Sequence, residues 1–425
     1  MKFKKIPYII GLCLMLVLPF VISGCGPMAE PQYAVISTGN TSADGMFTYD
    51  VYENRTAVIT GGTANDICLT IPDMIDGYPV VEIGESAFAG DTDFRYVVLG
   101  ENVRTLAFSA FNECQGLIRV DATPALRIID NSVFAGCTAL CELTGATKLE
   151  SIGESAFFQC ISLVEAPLNE SLTALGAQAF YGCSSLTEIN LPSKLTALPD
   201  GAFGFCTSLA RVNLGNVSVI ADNAFQKCTS LCTIHIGKQV TSIGESAFRG
   251  CFVLADVTVA SSVSEIGYCA FEETAWLTAQ TDEFVMLGNG VLLRYNGTAT
   301  DVVLPAGVRA IADAFCDNDV IKSVTIGNKV TKIGSAAFSG CGQLSRVTVG
   351  KKVTHIADTA FAGCSALANL YLPKSLTAVG NSAFNGCSLL STVYYAGSAR
   401  DWEKIALDGG NTPLTTAQLL TGQRY

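Results

Sequence analysis

Histidine and basic residues are scarce in this chain of 425 residues, and the usual catalytic signatures are missing. The two histidines, His235 and His355, each fall on a predicted strand, and neither has the spacing of a metal-binding helix or a catalytic triad. No Gly-x-Ser-x-Gly elbow, Walker loop or dinucleotide fingerprint occurs. The sequence therefore argues against an enzyme, and we expect no cofactor and no bound metal.

Positive charge is also limited. The chain has 26 lysines and arginines against 38 acids, which gives a formal net charge of -12. The basic residues form no cluster, and an acidic chain without a basic patch is a poor candidate for nucleic acid or an anionic lipid surface. We expect no nucleic-acid partner and attribute the charge to solubility.

The first 25 residues have the order of an export signal. Three lysines within the first five residues precede an apolar run over 6–22, and Ser23, Gly24 and Cys25 follow it. The end of this segment resembles a bacterial lipobox, which implies cleavage before Cys25 and its thioether lipidation. The alternatives to a lipidated Cys25 are an ordinary signal peptide and an uncleaved membrane anchor. In each case we expect the chain to leave the cytoplasm, and the lipobox places it on the extracytoplasmic side of the cell membrane, exposed at the surface.

A phenylalanine returns at a regular interval from residue 88 onward. Successive intervals are 23 residues, except for one of 22 and one of 44, so thirteen copies of one unit follow each other. The fullest copies read Leu-Thr-x-Ile-Gly-x-x-Ala-Phe-x-Gly-Cys-x-x-Leu-x-x-Val-x-Leu-Pro. Self-similarity at this period predicts a solenoid whose units stack on their neighbours. The repeated residues are Phe88, Phe111, Phe134, Phe157, Phe180, Phe203, Phe225, Phe248, Phe271, Phe315, Phe338, Phe361 and Phe384.

The residue types within each unit predict its local structure. The stretch 186–191 alternates with period two and indicates a strand whose Ile and Leu side chains point inward. Gly176 and the glycines at equivalent positions indicate a turn that needs a free backbone, and the Ala-Phe pair after it fits one helical or tight turn. The predicted fold class is therefore a β-rich repeat solenoid with a short strand-turn-strand unit per coil, capped at both ends.

Ten of the 17 cysteines stand three residues after a repeat phenylalanine. They have no Cys-x-x-Cys spacing and no nearby histidine, so a metal site is not indicated. Disulfides between adjacent coils are one possibility in an exported protein, but side chains in register point the same way, and a bridge would distort both coils. We therefore expect a column of small buried thiols. These residues are Cys114, Cys137, Cys160, Cys183, Cys206, Cys228, Cys251, Cys341, Cys364 and Cys387.

The sequence Ile-Gly-Glu-Ser-Ala-Phe, found at 83–88, 152–157 and 243–248 with Gly-Cys and Ser-Leu after it, resembles the BspA-like leucine-rich repeat family of bacterial surface proteins. The stretch after Phe271 resembles the interrupting β-hairpin of that family, and its Gly-Asn-Gly between two apolar segments predicts a hairpin independently. Two departures border this hairpin. The unit of Phe315 is one residue short, and Phe271 lacks the following Gly-Cys.

These patterns divide the chain into segments. They are a signal peptide over 1–24, a lipidated Cys25 and flexible tether over 25–45, an N-terminal β cap over 46–77, leucine-rich repeats over 78–273, an interrupting β-hairpin over 274–301, leucine-rich repeats over 302–390 and a C-terminal cap over 391–425.

The candidate binding face is the outward side of the predicted strands. Eight residues after the phenylalanine, consecutive units carry an arginine, three glutamates and an arginine, which could form a site for a basic partner or a cation, or a merely solvated face. Ten residues after it, polar and aromatic residues recur, and two tyrosines near the end could stack on a sugar or a protein, or pack against the cap. The candidates are Arg119, Glu142, Glu165, Glu188, Arg211, Asn190, Asn213, His235, Tyr371 and Tyr394.

Members of the family that this chain resembles are similar to adhesins and other binding proteins. The resemblance implies a lipid-anchored surface protein that binds a macromolecule, a protein or glycan on a host or bacterial surface, through its exposed sheet. A structural envelope protein without a specific ligand and a glycan-capture protein are the two alternatives.

Overall fold

The computed structural model of the protein describes residues 33–64 and 66–423. The predicted signal peptide, the predicted lipidation site Cys25 and the start of the predicted tether lie outside these residues. The described chain forms a β-solenoid of about 16 turns with about 23 residues per turn and little helix. This architecture confirms the predicted fold class.

The strands and helices are short and follow one another along the whole solenoid. In chain order they are β1 Val35–Thr41, β2 Phe47–Tyr52, β3 Ala57–Gly62, β4 Cys68–Thr70, β5 Met74–Ile75, β6 Tyr78–Ile83, β7 Tyr96–Val98, β8 Thr105–Leu106, β9 Arg119–Asp121, β10 Ile128–Ile129, β11 Glu142–Thr144, β12 Ser151–Ile152, β13 Ala174–Leu175, β14 Glu188–Asn190, β15 Ala197–Leu198, β16 Arg211–Asn213, β17 Val219–Ile220, β18 Thr233–Ile236, β19 Ser242–Ile243, β20 Asp256–Val259, β21 Glu265–Ile266, α1 Ala275–Thr278, β22 Phe284–Leu287, β23 Val291–Tyr295, β24 Asp301–Val303, β25 Ala310–Ile311, β26 Ser323–Thr325, β27 Lys332–Ile333, β28 Arg346–Thr348, β29 His355–Ile356, β30 Asn369–Leu372, β31 Ala378–Val379, β32 Thr392–Tyr395, α2 Ala399–Trp402, β33 Ala406–Leu407, α3 Thr412–Thr416 and β34 Gln418–Thr421.

Each coil contributes to two parallel ladders. The long-strand ladder contains three- and four-residue strands from β4 to β34, and those from β7 to β32 follow a phenylalanine turn or the hairpin. Its strands pair in register, as in β14 with β16, where Glu188 faces Arg211. The short-strand ladder contains the strands that precede the phenylalanine turn, such as β17 and β19, where Ile220 faces Ile243. Between the two ladders lies the phenylalanine turn, which we define as the residues from three before to two after each repeat phenylalanine.

The repeat phenylalanines form the centre of the core. Phe180 is fully buried, and its ring stacks on that of Phe157 at 5.1 Å and that of Phe203 at 5.3 Å between centroids. Offset stacked rings at such distances attract one another beyond the free energy of burial. Each buried phenylalanine contributes roughly 1.5 to 3 kcal/mol by transfer from water. The column is therefore a large part of what holds successive coils together.

The glycines before the Ala-Phe pair serve close approach, which corrects the prediction that they supply a free backbone. Gly153 and Gly176 do not have positive φ. A Cβ at Gly176 would lie 2.2 Å from Glu154 N in the preceding coil, and one at Gly153 would lie 2.5 Å from Asn131 N. Only glycine lets the two backbones approach this closely.

The left-handed backbone falls at two other positions of the phenylalanine turn. The second residue after the phenylalanine has positive φ in every unit, whether it is Gly182 (77°) or Lys227 (57°). The second residue before it also does, as at Ser155 (55°), except in the shortened unit, where Asp313 does not. The turn thus depends on backbone geometry that several residue types tolerate at some cost.

The cysteine column is confirmed as a row of free, buried thiols, and all fifteen cysteines of the described chain are free. In each of the ten units, the Sγ donates a hydrogen bond to the carbonyl of the phenylalanine in the preceding coil. The Cys183 Sγ to Phe157 O distance, for example, is 3.1 Å. The Phe157 carbonyl also accepts from Cys160 N at 3.1 Å, so the thiol supplies a second hydrogen bond, which a purely apolar side chain could not do.

The N-terminal strands correct two predicted boundaries. β1 lies inside the stretch 25–45 that composition assigned to a flexible tether, but it pairs antiparallel with β2, and Asn40 Nδ2 donates to Tyr49 O at 3.1 Å. β2 and β3 form the predicted cap strands, and β3 pairs parallel with β6 to start the short-strand ladder. β4 pairs parallel with β7, so the long-strand ladder already begins inside the predicted cap.

The predicted hairpin is present as β22 and β23, which pair antiparallel. It does not leave the solenoid, because β23 also pairs parallel with β25 and thus supplies a strand to the short-strand ladder. The Tyr295 ring lies 5.1 Å from that of Phe315 and occupies the phenylalanine column. The C-terminal segment likewise continues both ladders, through β33 and β34, while it caps them.

The ladders are interrupted where the sequence departs from the repeat. The coil of Phe157 has no long strand, because Pro167 has no N–H to donate to the neighbouring strand. Pro199 occupies the position in its coil that Gly176 occupies in the preceding coil. Gly176 N donates to Ile152 O at 2.8 Å, whereas proline has no N–H to donate, and β13 and β15 are not paired. The long-strand ladder also breaks between β16 and β18, at the 22-residue unit, and between β20 and β24, at the hairpin. From β24 to β34 the ladder is continuous over six strands.

Candidate binding surface

The outward positions of the long-strand ladder form the candidate binding surface. In β14 the central Ile189 is buried, whereas Glu188 and Asn190 on either side are exposed. The same alternation recurs in β18, with Ile234 buried and His235 exposed. Because parallel strands in register bring equivalent side chains into columns, the predicted face is a real array of neighbouring side chains.

Charges on this face are largely paired. Arg119 Nη1 lies 3.0 Å from Glu142 Oε1, and Arg211 Nη2 lies 2.5 Å from Glu188 Oε2. Glu165 is exposed and belongs to no strand. The three glutamates were predicted to occupy equivalent positions on consecutive strands, but Pro167 takes Glu165 out of the ladder, and Glu142 and Glu188 each pair with the neighbouring arginine. The row is therefore two ion pairs around a single glutamate.

A cleft of about 410 Å³ lies where the ladder lacks the strand of the Phe157 coil. Glu165, Glu188, Asn190 and Arg211 line it, so the structure brings four of the sequence candidates together there. Asn190 and Asn213 face each other across β14 and β16. The exposed His235 is bonded through Nδ1 to Thr258 Oγ1 at 2.6 Å on the next strand.

Two tyrosines and an arginine form the aromatic end of the surface. The rings of Tyr371 and Tyr394 stack at 4.4 Å with an interplanar angle of 5°. The Arg346 guanidinium lies over the Tyr371 ring, with Cζ 5.0 Å from its centroid. Tyr394 is paired in register with Leu420 of β34 on the far side. The faces of the Tyr371 ring are thus covered, which disfavours the stacking of a sugar ring on it.

A second candidate site, which the sequence candidates did not include, lies where the hairpin interrupts the phenylalanine turns. It is a cleft of about 640 Å³ between the turn of Phe271 and that of Phe315. The charged side chains that line it are Arg249, Glu272, Glu273, Arg294, Asp313 and Asp317. The short unit of Phe315 and the missing Gly-Cys after Phe271 mark this place in the sequence, but they do not indicate a cavity.

Asp313 is the central polar group of this cleft. Its Oδ2 accepts a hydrogen bond from Cys269 N at 2.8 Å, and burial raises the pKa of its carboxyl. Burial also raises the pKa of the Cys269 thiol to about 12 and that of the Cys316 thiol to about 11. Both thiols are therefore protonated and unreactive near neutral pH, because the thiolate is the nucleophile.

Comparison with known proteins identifies the repeat. A family model described as BspA type leucine rich repeat region matches residues 68–177, 156–278 and 294–410, in six copies. Among curated proteins, no relative matches the chain. No helix within the described residues is long and apolar enough to cross a membrane.

Solved structures with the same repeat come from several bacteria. A leucine rich cell surface protein from Faecalibacterium prausnitzii is 27% identical, with a TM-score of 0.42, over 88% of this chain and 99% of that one. A leucine-rich repeat protein from Bacteroides ovatus is 21% identical, with a TM-score of 0.46, over 88% and 98%. A leucine rich repeat protein of T. pallidum is 28% identical, with a TM-score of 0.41, over 51% and 91%.

The family model covers well over half of the sequence, and its repeat is the coil described above. The chain belongs to the BspA-type leucine-rich repeat family.

Proposed function

We propose that this protein is anchored on the outer side of a bacterial membrane through lipidated Cys25 and binds a protein partner through its long-strand ladder. Leucine-rich repeat solenoids of this family are typically non-enzymatic scaffolds. The three lysines, apolar run and lipobox-like end of the first 25 residues support export and anchoring. The exposed columns of the ladder support binding.

The continuous ladder from β24 to β34 is the observation that carries the proposal. It presents Thr348, Tyr371 and Tyr394 in one column, with Arg346 over the first tyrosine. Tyrosine and arginine are the residue types most often found at the energetic centres of protein interfaces. An unbroken sheet also holds them rigidly, which lowers the entropic cost of binding.

A protein ligand fits this patch better than a glycan. Sugars bind proteins through the open faces of aromatic rings, and here Tyr394 and Arg346 cover those of Tyr371. A partner that carries acidic groups beside apolar ones would complement Arg346.

Capture with soluble residues 26–425 tests the binding proposal. The protein should recover a partner saturably, and changing Tyr371 and Tyr394 to Ala should abolish recovery. A triple change of Glu142, Glu165 and Glu188 to Lys serves as a second arm at the other end of the ladder. If only the triple change abolishes recovery, the acidic end is the site instead. If the wild-type protein itself recovers no saturable partner, the result favours a structural envelope protein without a specific ligand.

Anchoring is tested separately in the exporting bacterium. The full-length chain should fractionate with membranes and take up radiolabelled palmitate, and Cys25→Ala should release it or leave its leader uncleaved. Membrane association of an unlabelled protein would point to an uncleaved anchor.

A further inference from the structure

The phenylalanine turns form a backbone ladder of their own. In an unbroken pair of coils, three N–H groups of one turn donate to three carbonyls of the next. Ser246 N donates to Tyr268 O at 2.9 Å, Phe248 N to Ala270 O at 2.8 Å, and Gly250 N to Glu272 O at 3.0 Å. Every turn therefore has a donor edge that faces one neighbour and an acceptor edge that faces the other.

At the hairpin this ladder lacks one turn. The hairpin supplies β23 to the short-strand ladder and Tyr295 to the aromatic column, and Tyr295 N donates to Ala314 O, the central acceptor of the Phe315 turn, at 3.0 Å. It supplies no complete phenylalanine turn. On the donor edge only Cys269 N is satisfied, by the Asp313 carboxylate, and Phe271 N and Glu273 N have no acceptor among the described residues. The cleft of about 640 Å³ occupies the place of the absent turn.

The opposite wall of the cleft offers a matching acceptor. Cys316 follows Phe315 as Glu272 follows Phe271. Glu272 O accepts from the preceding turn, whereas Cys316 O accepts no hydrogen bond within the described chain. The cleft therefore has free N–H groups on one wall and a free carbonyl on the other. An extended polypeptide backbone carries both complementary groups.

The charge of the cleft restricts the side chains of such a segment. Arg294 Nη2 lies 3.1 Å from Glu272 Oε2, and Arg249 Nη2 lies 3.6 Å from Glu273 Oε1. Asp313 and Asp317 have no cationic partner within the part of the chain that the structure describes. A cationic side chain on the ligand would compensate them, whereas an anionic ligand would be repelled.

We propose that this cleft binds a short extended peptide segment of a partner protein, one that carries a lysine or arginine, and that the peptide backbone takes the place of the absent turn. The peptide carbonyls accept from Phe271 N and Glu273 N, and a peptide N–H donates to Cys316 O. The lysine or arginine lies against Asp313 and Asp317. The volume of the cleft is within the range of ligand pockets.

This site is separate from the long-strand ladder of the proposed function. It lies on the phenylalanine turns, and none of its lining residues belongs to the long strands. The two sites can therefore be tested independently in one protein.

Hydrogen-deuterium exchange in soluble residues 26–425 tests the proposal. The probes are capped pentapeptides of valine and threonine with lysine at each position in turn, and the same set with glutamate as control. In the free protein, the amides of Phe271 and Glu273 should exchange faster than those of Phe248 and Gly250. At least one lysine peptide at about 1 mM should slow both, and its glutamate counterpart should not.

Two variants test whether the slowed exchange of these amides depends on Asp313 and Asp317. Asp313→Asn keeps an oxygen for Cys269 N, and Asp317→Lys is compatible with its left-handed backbone, since Lys227 holds the same position. The first should weaken peptide binding about tenfold and the second should abolish it. Asp358→Asn, at an unbroken turn where its Oδ1 accepts from Asn381 N at 2.8 Å, should leave binding unchanged.

Three results would overturn the proposal. One is equal protection of Phe271 and Phe248 in the free protein, which would mean that the donor edge is already satisfied. Another is the failure of every lysine peptide to slow exchange at about 1 mM. The third is peptide binding that Asp317→Lys does not change while the protein retains its wild-type melting temperature.

Discussion

The donor edge of the phenylalanine turns lacks a following turn at two places, the hairpin and the C-terminal cap. The N–H groups of these two edges find different acceptors. At the cap, Ser382 N donates to Gly409 O at 2.8 Å and Phe384 N to Asn411 Oδ1 at 3.0 Å. At the hairpin, Cys269 N donates to the Asp313 carboxylate, and Phe271 N finds no acceptor in the described chain. The cap thus satisfies the central amide of the last turn, and the hairpin leaves the same amide open.

The difference shows what a neutral and a charged side chain can each do at such an end. Asn411 is buried and also donates through Nδ2 to Gly380 O at 2.8 Å and Asp408 O at 2.9 Å. Its amide offers a donor and an acceptor, so it connects both sides of the end. Asp313 is ionised only at a desolvation cost and offers acceptors alone. The first arrangement occupies the central amide of the end, and the second leaves that amide free for a ligand.

The largest expected effect comes from the column that both ends share. Phe180→Ala removes a ring that is stacked on both faces and should cost about 3 to 5 kcal/mol of local stability. Tyr295→Ala at the hairpin should cost less, about 2 to 3 kcal/mol, because the cleft gives the site room to relax. Urea unfolding with site-resolved hydrogen exchange measures both. Equal costs would mean that the hairpin is packed as tightly as the repeats.

Asn411→Ala should leave the central amide of the cap end open, as it is at the hairpin. It leaves Phe384 N and two carbonyls without their partner and should cost about 2 to 3 kcal/mol locally. Exchange of the Phe384 amide should then become as fast as that of Phe271. Asn216→Ala is the control, since Asn216 is exposed and bonds Ser193 O at 3.0 Å. An unchanged Phe384 amide would show that Asn411 does not close the end.

The hairpin end should depend on pH in a way that the cap end does not. Burial, and to a smaller extent the charge of Glu272, raise the pKa of Asp313. Between the ordinary pKa of an aspartate, about 3.9, and this raised value, the folded state binds more protons than the unfolded state. The free energy of unfolding should therefore fall as pH rises through that window.

Asp313→Asn should remove this decline and stabilise the hairpin at neutral pH relative to the wild-type protein. Urea midpoints at acidic and neutral pH measure it, with Asp358→Asn as the matched loss of a carboxylate at an unbroken turn. Burial and the charges of Asp222 and Asp313 also raise the pKa of Glu245, so Glu245→Gln is introduced into all three proteins to keep its titration out of the comparison. Parallel pH profiles for wild type and Asp313→Asn would contradict the prediction.

The smallest effects are expected at exposed ion pairs. Arg211 and Glu188 are 72% and 51% exposed, so Glu188→Gln should change stability by less than about 0.5 kcal/mol. Arg294 at the hairpin is 30% exposed and also bonds Leu277 O at 3.3 Å, so Arg294→Lys should cost about 1 kcal/mol. Thermal melting in low and high salt measures both. A larger effect at Glu188 would reverse the ranking of the two regions.

Much of this architecture could be predicted from residue spacing. The regular return of phenylalanine indicated stacked coils, the alternation of 186–191 indicated the strand at Glu188–Asn190, and Gly288-Asn289-Gly290 indicated the hairpin. The thiol column also followed from register. These features depend on local periodicity, which a sequence displays directly.

The candidate sites could be predicted only in part. Spacing placed Tyr371 beside Tyr394, but not Arg346 over the ring, because that contact depends on a side chain's rotamer. It aligned Glu165 with its neighbours, although Pro167 removes that coil from the ladder. It gave no indication of Asp313, whose partner Cys269 lies 44 residues away.

The sequence by itself determined the repeat, the inward and outward faces of the strands, the aromatic and thiol columns and the positions at which the pattern fails. Each of these follows from which residue occupies which place in a unit. The tertiary structure alone decided which glycines serve close approach, which charges neutralise one another and where the turn ladder leaves an edge open. Those outcomes depend on distances between coils, and such distances are set only when the whole stack is assembled.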